Sequence, residues 1–227
     1  MQPVDALQTK TDSPGFFGVI GRAQSYVNLV YLLISFPLGI FYFVFLMTGI
    51  ALSLGLAIIV IGLFVLLFVL AATRALGAWE RFLSCQMLGA DIPRAPSVPV
   101  AWGRPLQALG SALTDAETWK SFAFLMLKFP LGILSFTIVM VFVATTISFL
   151  ASALAFRFVP VTFMIWRVDS VDAALIMLAL GLLLTILSLH VFNGMAAVWR
   201  ALAVALLRPG EAAVETPPAT SRPIVIP

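Results

Sequence analysis

Residues 23–73 contain no Asp, Glu, Lys or Arg, and this run constrains the fold more than any other feature. As a helix it would extend about 75 Å, more than twice the roughly 30 Å hydrocarbon core of a bilayer. It must therefore turn back on itself. Two more uncharged runs follow at residues 129–156 and 173–199, the last with His190 as its only ionisable side chain. Because about 20 apolar residues suffice to cross a bilayer, all three runs belong in lipid. With 62% hydrophobic and only 10% charged residues, against about 25% charged in soluble domains, a water-soluble core is the poorer explanation.

These runs predict an all-α integral membrane protein with four transmembrane helices, arranged as two tandem hairpins. Residues 1–22 read as a cytoplasmic arm ending in an interfacial segment. Residues 23–89 form the first hairpin, with spans near 28–49 and 53–73 and a flexible point at Gly49 and Gly55. Arg74, Trp79 and Arg81 mark the exit from lipid. Pro93, Pro96, Pro99 and Pro105 make residues 90–113 a linker that no continuous helix accommodates. Thr114-Asp115-Ala116-Glu117 is then a capping box opening the second hairpin, residues 114–208. Its spans lie near 129–152 and 173–199, joined by an outer loop over residues 153–172. Residues 209–227 are a Pro-rich tail.

The hairpin assignment has support beyond hydropathy. Phe36-Pro37-Leu38-Gly39-Ile40 recurs as Phe129-Pro130-Leu131-Gly132-Ile133, and the same register pairs Leu32 with Leu125, Phe43 with Phe136 and Met47 with Met140. Trp79-Glu80-Arg81 and Trp199-Arg200 end the second helix of each copy alike. In each motif the proline removes a backbone donor and the glycine admits a neighbouring backbone. Pro37, Gly39, Pro130 and Gly132 are thus either packing kinks or hinges. Eleven of the thirteen Lys and Arg lie in the arm, the 74–128 connection and the tail, whereas the outer loop offsets its two with two Asp. The positive-inside rule then places both termini in the cytoplasm of a cell whose inner membrane holds the chain.

The stretch Asn28-Leu29-Val30-Tyr31-Leu32-Leu33-Ile34-Ser35-Phe36-Pro37-Leu38-Gly39 resembles the four-helix membrane sensor domain of bacterial and archaeal two-component histidine kinases. Leu113-Thr114-Asp115, Thr118-Trp119-Lys120, Lys128 to Gly132, the Val168-Asp169-Ser170-Val171-Asp172 start of the last span, and Asn193-Gly194 resemble it as well. The resemblance covers roughly residues 20–208. It implies a sensor module coupled to a kinase, yet no phosphoacceptor helix or ATP-binding domain is recognisable, so phosphotransfer does not carry over.

Few residues invite chemistry. His190 lies in the last span, one turn before Asn193, and an ionisable group at that depth is a candidate switch. Its blander reading is a hydrogen bond to a neighbouring helix at Thr145, Thr146 or Ser148. Arg157, Trp166, Arg167, Asp169 and Asp172 could line a polar pocket in the outer loop, or merely anchor the fourth span. Trp79, Arg81, Trp119, Trp199 and Arg200 are candidates for the interface with lipid or a partner. Cys85 is the only cysteine, so no internal disulfide or thiolate cluster forms.

No metal site, cofactor motif, nucleic-acid motif or catalytic constellation is legible, and an enzyme is not expected. The expected function is a sensor-like module relaying a membrane or small-molecule signal to a separate signalling partner. The alternative is an accessory subunit of a larger membrane complex, with membrane lipid as a partner in either case. Transport is disfavoured because no expected span contains a buried charge pair.

Overall fold

The structure is a computed structural model that describes residues 21–58, 61–93, 105–155, 161–163, 166–168 and 170–209. Helix α1 spans Ala23–Gly55, α2 Ile61–Leu88, α3 Pro105–Thr114, α4 Ala116–Ala155 and α5 Val171–Leu207. The fold is all-α, and α1, α2, α4 and α5 are each long and apolar enough to cross a membrane. The expected outer loop contains an antiparallel ribbon of β1, Val161–Phe163, and β2, Trp166–Val168, with Val161 opposite Val168. Residues 1–20 of the arm, 94–104 of the Pro-rich linker and 210–227 of the tail lie outside the described residues.

The helices extend beyond the spans expected from hydropathy. Helix α1 continues through Gly49 to Gly55, and the chain reverses after it. Gly49 is a contact point: a Cβ there would lie 2.6 Å from Val69 Cγ2. Helix α2 continues past Arg74 to Leu88, because Thr73, Gly77, Glu80 and Ser84 are buried along one face. It stops at Gly89, whose φ of 62° allows the Ala90 N–H to donate to Ser84 O at 3.1 Å.

The capping box also differs from expectation. The Thr114 hydroxyl donates back to the Gly110 and Ser111 carbonyls and finishes α3. Asp115 caps α4 instead, accepting from the Thr118 N–H at 2.9 Å, while Glu117 turns away to an arginine on α2. Part of the expected linker is therefore helical. Its α3 packs on α2 and buries Ala108 and Ala112, one turn apart.

The chain divides into two compact units. The smaller takes the described residues of 142–191 together with residues 21–26. Within it Ala153, Ala173, Ala174 and Met177 form an apolar core with Phe149 against it. The Ser170 hydroxyl accepts from the Ala173 N–H and starts α5.

The larger unit takes the described residues of 27–141 together with residues 192–209. Here the two Phe-Pro-Leu-Gly-Ile segments face each other reciprocally across α1 and α4. A Cβ on Gly39 would meet Lys128 O at 2.7 Å, and one on Gly132 would meet Ser35 O at 2.9 Å. Phe36 stacks on Phe136 with centroids 4.7 Å apart, and Phe43 on Phe129 at 4.5 Å. Both prolines are exposed and both glycines buried, so backbone meets backbone where the helices cross. Tyr42, Leu46, Val69 and Leu125 form the adjacent apolar core. Several hydroxyls within the helices return to their own backbone, as Ser35 does to Tyr31 O and Thr73 to Val69 O. A low-dielectric surrounding favours that satisfaction.

This crossing predicts an asymmetric response to single methyl groups. Gly39→Ala and Gly132→Ala should each lower stability in detergent by about 1–3 kcal/mol, the usual cost of overpacking. Gly194→Ala, with nothing within 4 Å of its Cβ position, should be neutral or slightly stabilising. Thermal unfolding of the three purified variants checks this, and equal effects would contradict the crossing.

Candidate functional site

The most unusual feature of the larger unit is a salt bridge with no exposure to solvent. Glu80 on α2 and Lys128 on α4 are both fully buried, and the Lys128 ammonium donates to Glu80 Oε2. Each partner is placed by its helix. Glu80 continues the inward face begun by Thr73 and Gly77, and Lys128 immediately precedes the second Phe-Pro-Leu-Gly-Ile, where α4 meets α1 most closely.

Four rings surround the ammonium. Tyr31 lies 4.9 Å from Nζ by its centroid, Trp199 5.6 Å, Phe124 5.9 Å and Tyr42 6.0 Å. The negative faces of such rings supply part of the solvation that burial removes. Tyr42 donates its hydroxyl hydrogen to Glu80 Oε1 at 2.6 Å, and Tyr31 OH sits 3.4 Å from Nζ. Trp199 from α5 meets Tyr31 and Phe124 edge-on, and its indole N–H donates to Ser135 Oγ at 3.0 Å. Helices α1, α2, α4 and α5 thus all contribute to one charged core.

A second tier of charges lies one residue on from Glu80. Arg81, only 7% exposed, donates through Nε to Leu207 O at the end of α5, at 2.9 Å. A terminal nitrogen of the same guanidinium pairs with Glu117 on α4 at 2.8 Å. Arg74 pairs with Asp115 at 2.5 Å. Partial burial acts to raise the Asp115 pKa. The bonds from Thr118 and Arg74, with the Arg74 charge, outweigh that and hold the carboxyl below its ordinary range.

The residues singled out from sequence are scattered. Asp172 is exposed in the first turn of α5, whereas Arg157 and Asp169 lie outside the described residues. Trp166 and Arg167 lie on β2, paired in register with Phe163 and Thr162.

His190 Nδ1 lies 2.9 Å from Ile186 O of its own helix. Asn193, by contrast, accepts from Asn28 at 2.9 Å and joins α1 to α5. Pro37, Gly39, Pro130 and Gly132 sit inside unbroken helices at the crossing described above. Trp79, Trp119 and Arg200 are exposed. Trp199 and Arg81, expected at an interface, are buried instead, because one completes the cage and the other ties three helices.

The charge pair itself overturns the expectation that no span holds one. Glu80 and Lys128 both fall in the 74–128 connection between the uncharged runs, where hydropathy predicts water-facing charges. The signal that identifies Glu80 is the spacing Thr73, Gly77, Glu80, Ser84, a small and polar face continuing the period of an apolar helix. Among the described residues no cluster of metal-ligating side chains occurs.

Residues 31–207 match the family model described as Putative sensor, and the chain belongs to that family. No curated protein and no solved structure matches it.

Two measurements follow. Removing either partner of a buried pair strands a charge at a cost of about 3–5 kcal/mol. Glu80→Gln and Lys128→Met should each destabilise on that scale, and the double variant should recover much of the loss. Losses that simply add in the double variant, in a double-mutant cycle of detergent unfolding, would contradict the pairing.

Asp115 yields a pH dependence. A depressed carboxyl stabilises the fold fully above its unfolded pKa, and that contribution disappears as pH falls through the lowered folded value. The stability gap between wild type and Asp115→Asn should therefore be present at neutral pH and close below the ordinary carboxylate range. A gap independent of pH would remove the charge from the account.

Proposed function

We propose that the chain is a non-enzymatic, membrane-embedded sensor-like module that relays a membrane or small-molecule signal to a separate protein partner. Family membership supports the sensor-like role. The observation that carries the relay is the adjacency of Glu80 and Arg81 on α2. Glu80 belongs to the charged core to which four helices contribute, and Arg81 holds the last carbonyl of α5 and the first turn of α4. A change in how α1 and α4 cross would move Glu80, and the same helix would carry that movement to the end of α5.

A ligand shifts such an arrangement only by binding one packing better than the other, and closely packed interfaces favour discrete packings over continuous deformation. In this reading the module sits in the inner membrane with both termini cytoplasmic, and the partner belongs to a two-component system. The tandem-duplication reading is supported by the reciprocal contacts of the two motifs.

An accessory role in a larger membrane complex remains a second reading, favoured by the exposed aromatics Trp79 and Phe82, 5.9 Å apart, and by exposed Trp119. A stable native assembly many times the mass of one chain would favour it.

The relay is tested with spin labels at Phe82→Cys and Arg208→Cys, both exposed, in a Cys85→Ser background. The wild-type packing should give one narrow distance distribution, and Glu80→Gln should broaden or shift it. An unchanged distribution would show that the core does not control the end of α5.

A further inference from the structure

The first Phe-Pro-Leu-Gly-Ile segment has two faces, and the charged core uses only one. Gly39, Tyr42 and Leu46 look inward, with Tyr42 on Glu80 and Gly39 against α4. Pro37, Phe41, Val44 and Thr48 look the other way and line a cavity of about 960 Å3 between α1 and α2, with Phe64 and Phe68 opposite. Gly49, close to Val69, also lines it. The site described above leaves this groove unexplained.

Its chemistry narrows the occupant. Thr48 carries the single polar side chain in the lining, so a charged or hydroxyl-rich ligand would leave its polar groups unpaired there. The lining extends from Pro37 to Leu52, about 22 Å along α1, which exceeds the roughly 15 Å of one leaflet. A whole acyl chain fits that length. The mouth opens on the surface that α1 and α2 turn towards lipid: Phe41, Val44, Phe64 and Phe68 are each about half exposed. What enters the groove therefore comes from the bilayer.

We propose that the groove between α1 and α2 seats one acyl chain of a bilayer phospholipid. This deepens the sensor reading, and rests on it for its consequence, by naming the ligand class. A chain lying against Pro37, Phe41 and Val44 sets the angle between α1 and α2. The opposite face of the same two helices holds the Tyr42 to Glu80 bond, so filling or emptying the groove acts on the charged core without touching it.

The test uses the full chain in phosphatidylcholine nanodiscs containing a small fraction of phosphatidylcholine with a diazirine on one acyl chain. After illumination, peptide mass spectrometry reads the labelled residues. Labelling should be concentrated on residues 37–52 and 61–69, about fivefold above the exposed leucines of α5. Val44→Trp should fill the groove and remove that excess while α5 labelling stays unchanged. Ile61→Trp, from the opposite wall, should do the same if the first variant misfolds.

Even labelling over all lipid-facing residues would overturn the proposal. So would stronger groove labelling by a diazirine fatty acid than by the phospholipid, or cross-links between two copies of the chain at these residues. The readout is independent of the spin-label distance at residues 82 and 208. Lost labelling with that relay intact refutes the lipid seat alone, whereas groove labelling beside an unresponsive relay supports the seat and refutes the sensor mechanism.

Discussion

The larger unit is organised around an ammonium and a carboxylate held away from water. Lys128 and Glu80 both lie out of reach of solvent, and each has protein partners in place of water. The carboxylate receives the ammonium and the Tyr42 hydroxyl, and the ammonium faces four aromatic rings. Such a pair contributes little net stability relative to well-packed apolar residues, since desolvation offsets most of the attraction. Its value is specificity. In lipid, where apolar helices slide past one another with little preference, a misregistered packing would strand either charge at a cost of several kcal/mol. The pair thereby fixes which turn of α2 faces which turn of α4.

The crossing of α1 and α4 is a consequence of the same economy. Without a strong hydrophobic drive between helices in lipid, close packing must come from small residues, and Gly39 and Gly132 let each backbone touch the other's carbonyl. The stacked pairs Phe36 with Phe136 and Phe43 with Phe129 flank that contact on both sides. Lys128 lies one turn before Gly132, so the position of the ammonium is set by the glycine contact. Arg81 then extends the arrangement to the helix ends, neutralising Glu117 and satisfying a terminal carbonyl of α5. Core, crossing and helix ends form one chain of physical contacts.

Much of this architecture was legible in the sequence. Uncharged runs gave the four apolar helices, and the repeated Phe-Pro-Leu-Gly-Ile marked the two segments that meet. Helix ends were less legible. Arg74 and Arg81 look like a membrane exit, yet the inward face of α2 continues for two more turns, and hydropathy does not see a face. Thr114 looked like a cap, but Asp115 competed better because its carboxylate also attracts Arg74. The charged core is hidden for a related reason. Glu80 and Lys128 are 48 residues apart and separated by a Pro-rich stretch, and only the folded crossing brings them together. Trp199 shows the converse, since an aromatic near a basic residue reads as an interfacial anchor until its indole is found inside the cage.

The most direct test is whether the Lys128 ammonium contacts Glu80 in a bilayer, away from water. Solid-state NMR of the full chain with labelled lysine and glutamate, reconstituted in phosphatidylcholine, reports both. The account predicts a Lys128 Nζ to Glu80 carboxyl cross-peak and protons that exchange with water far more slowly than those of exposed Lys120. A Lys128 ammonium that exchanges as fast as Lys120 and lacks that cross-peak would contradict it.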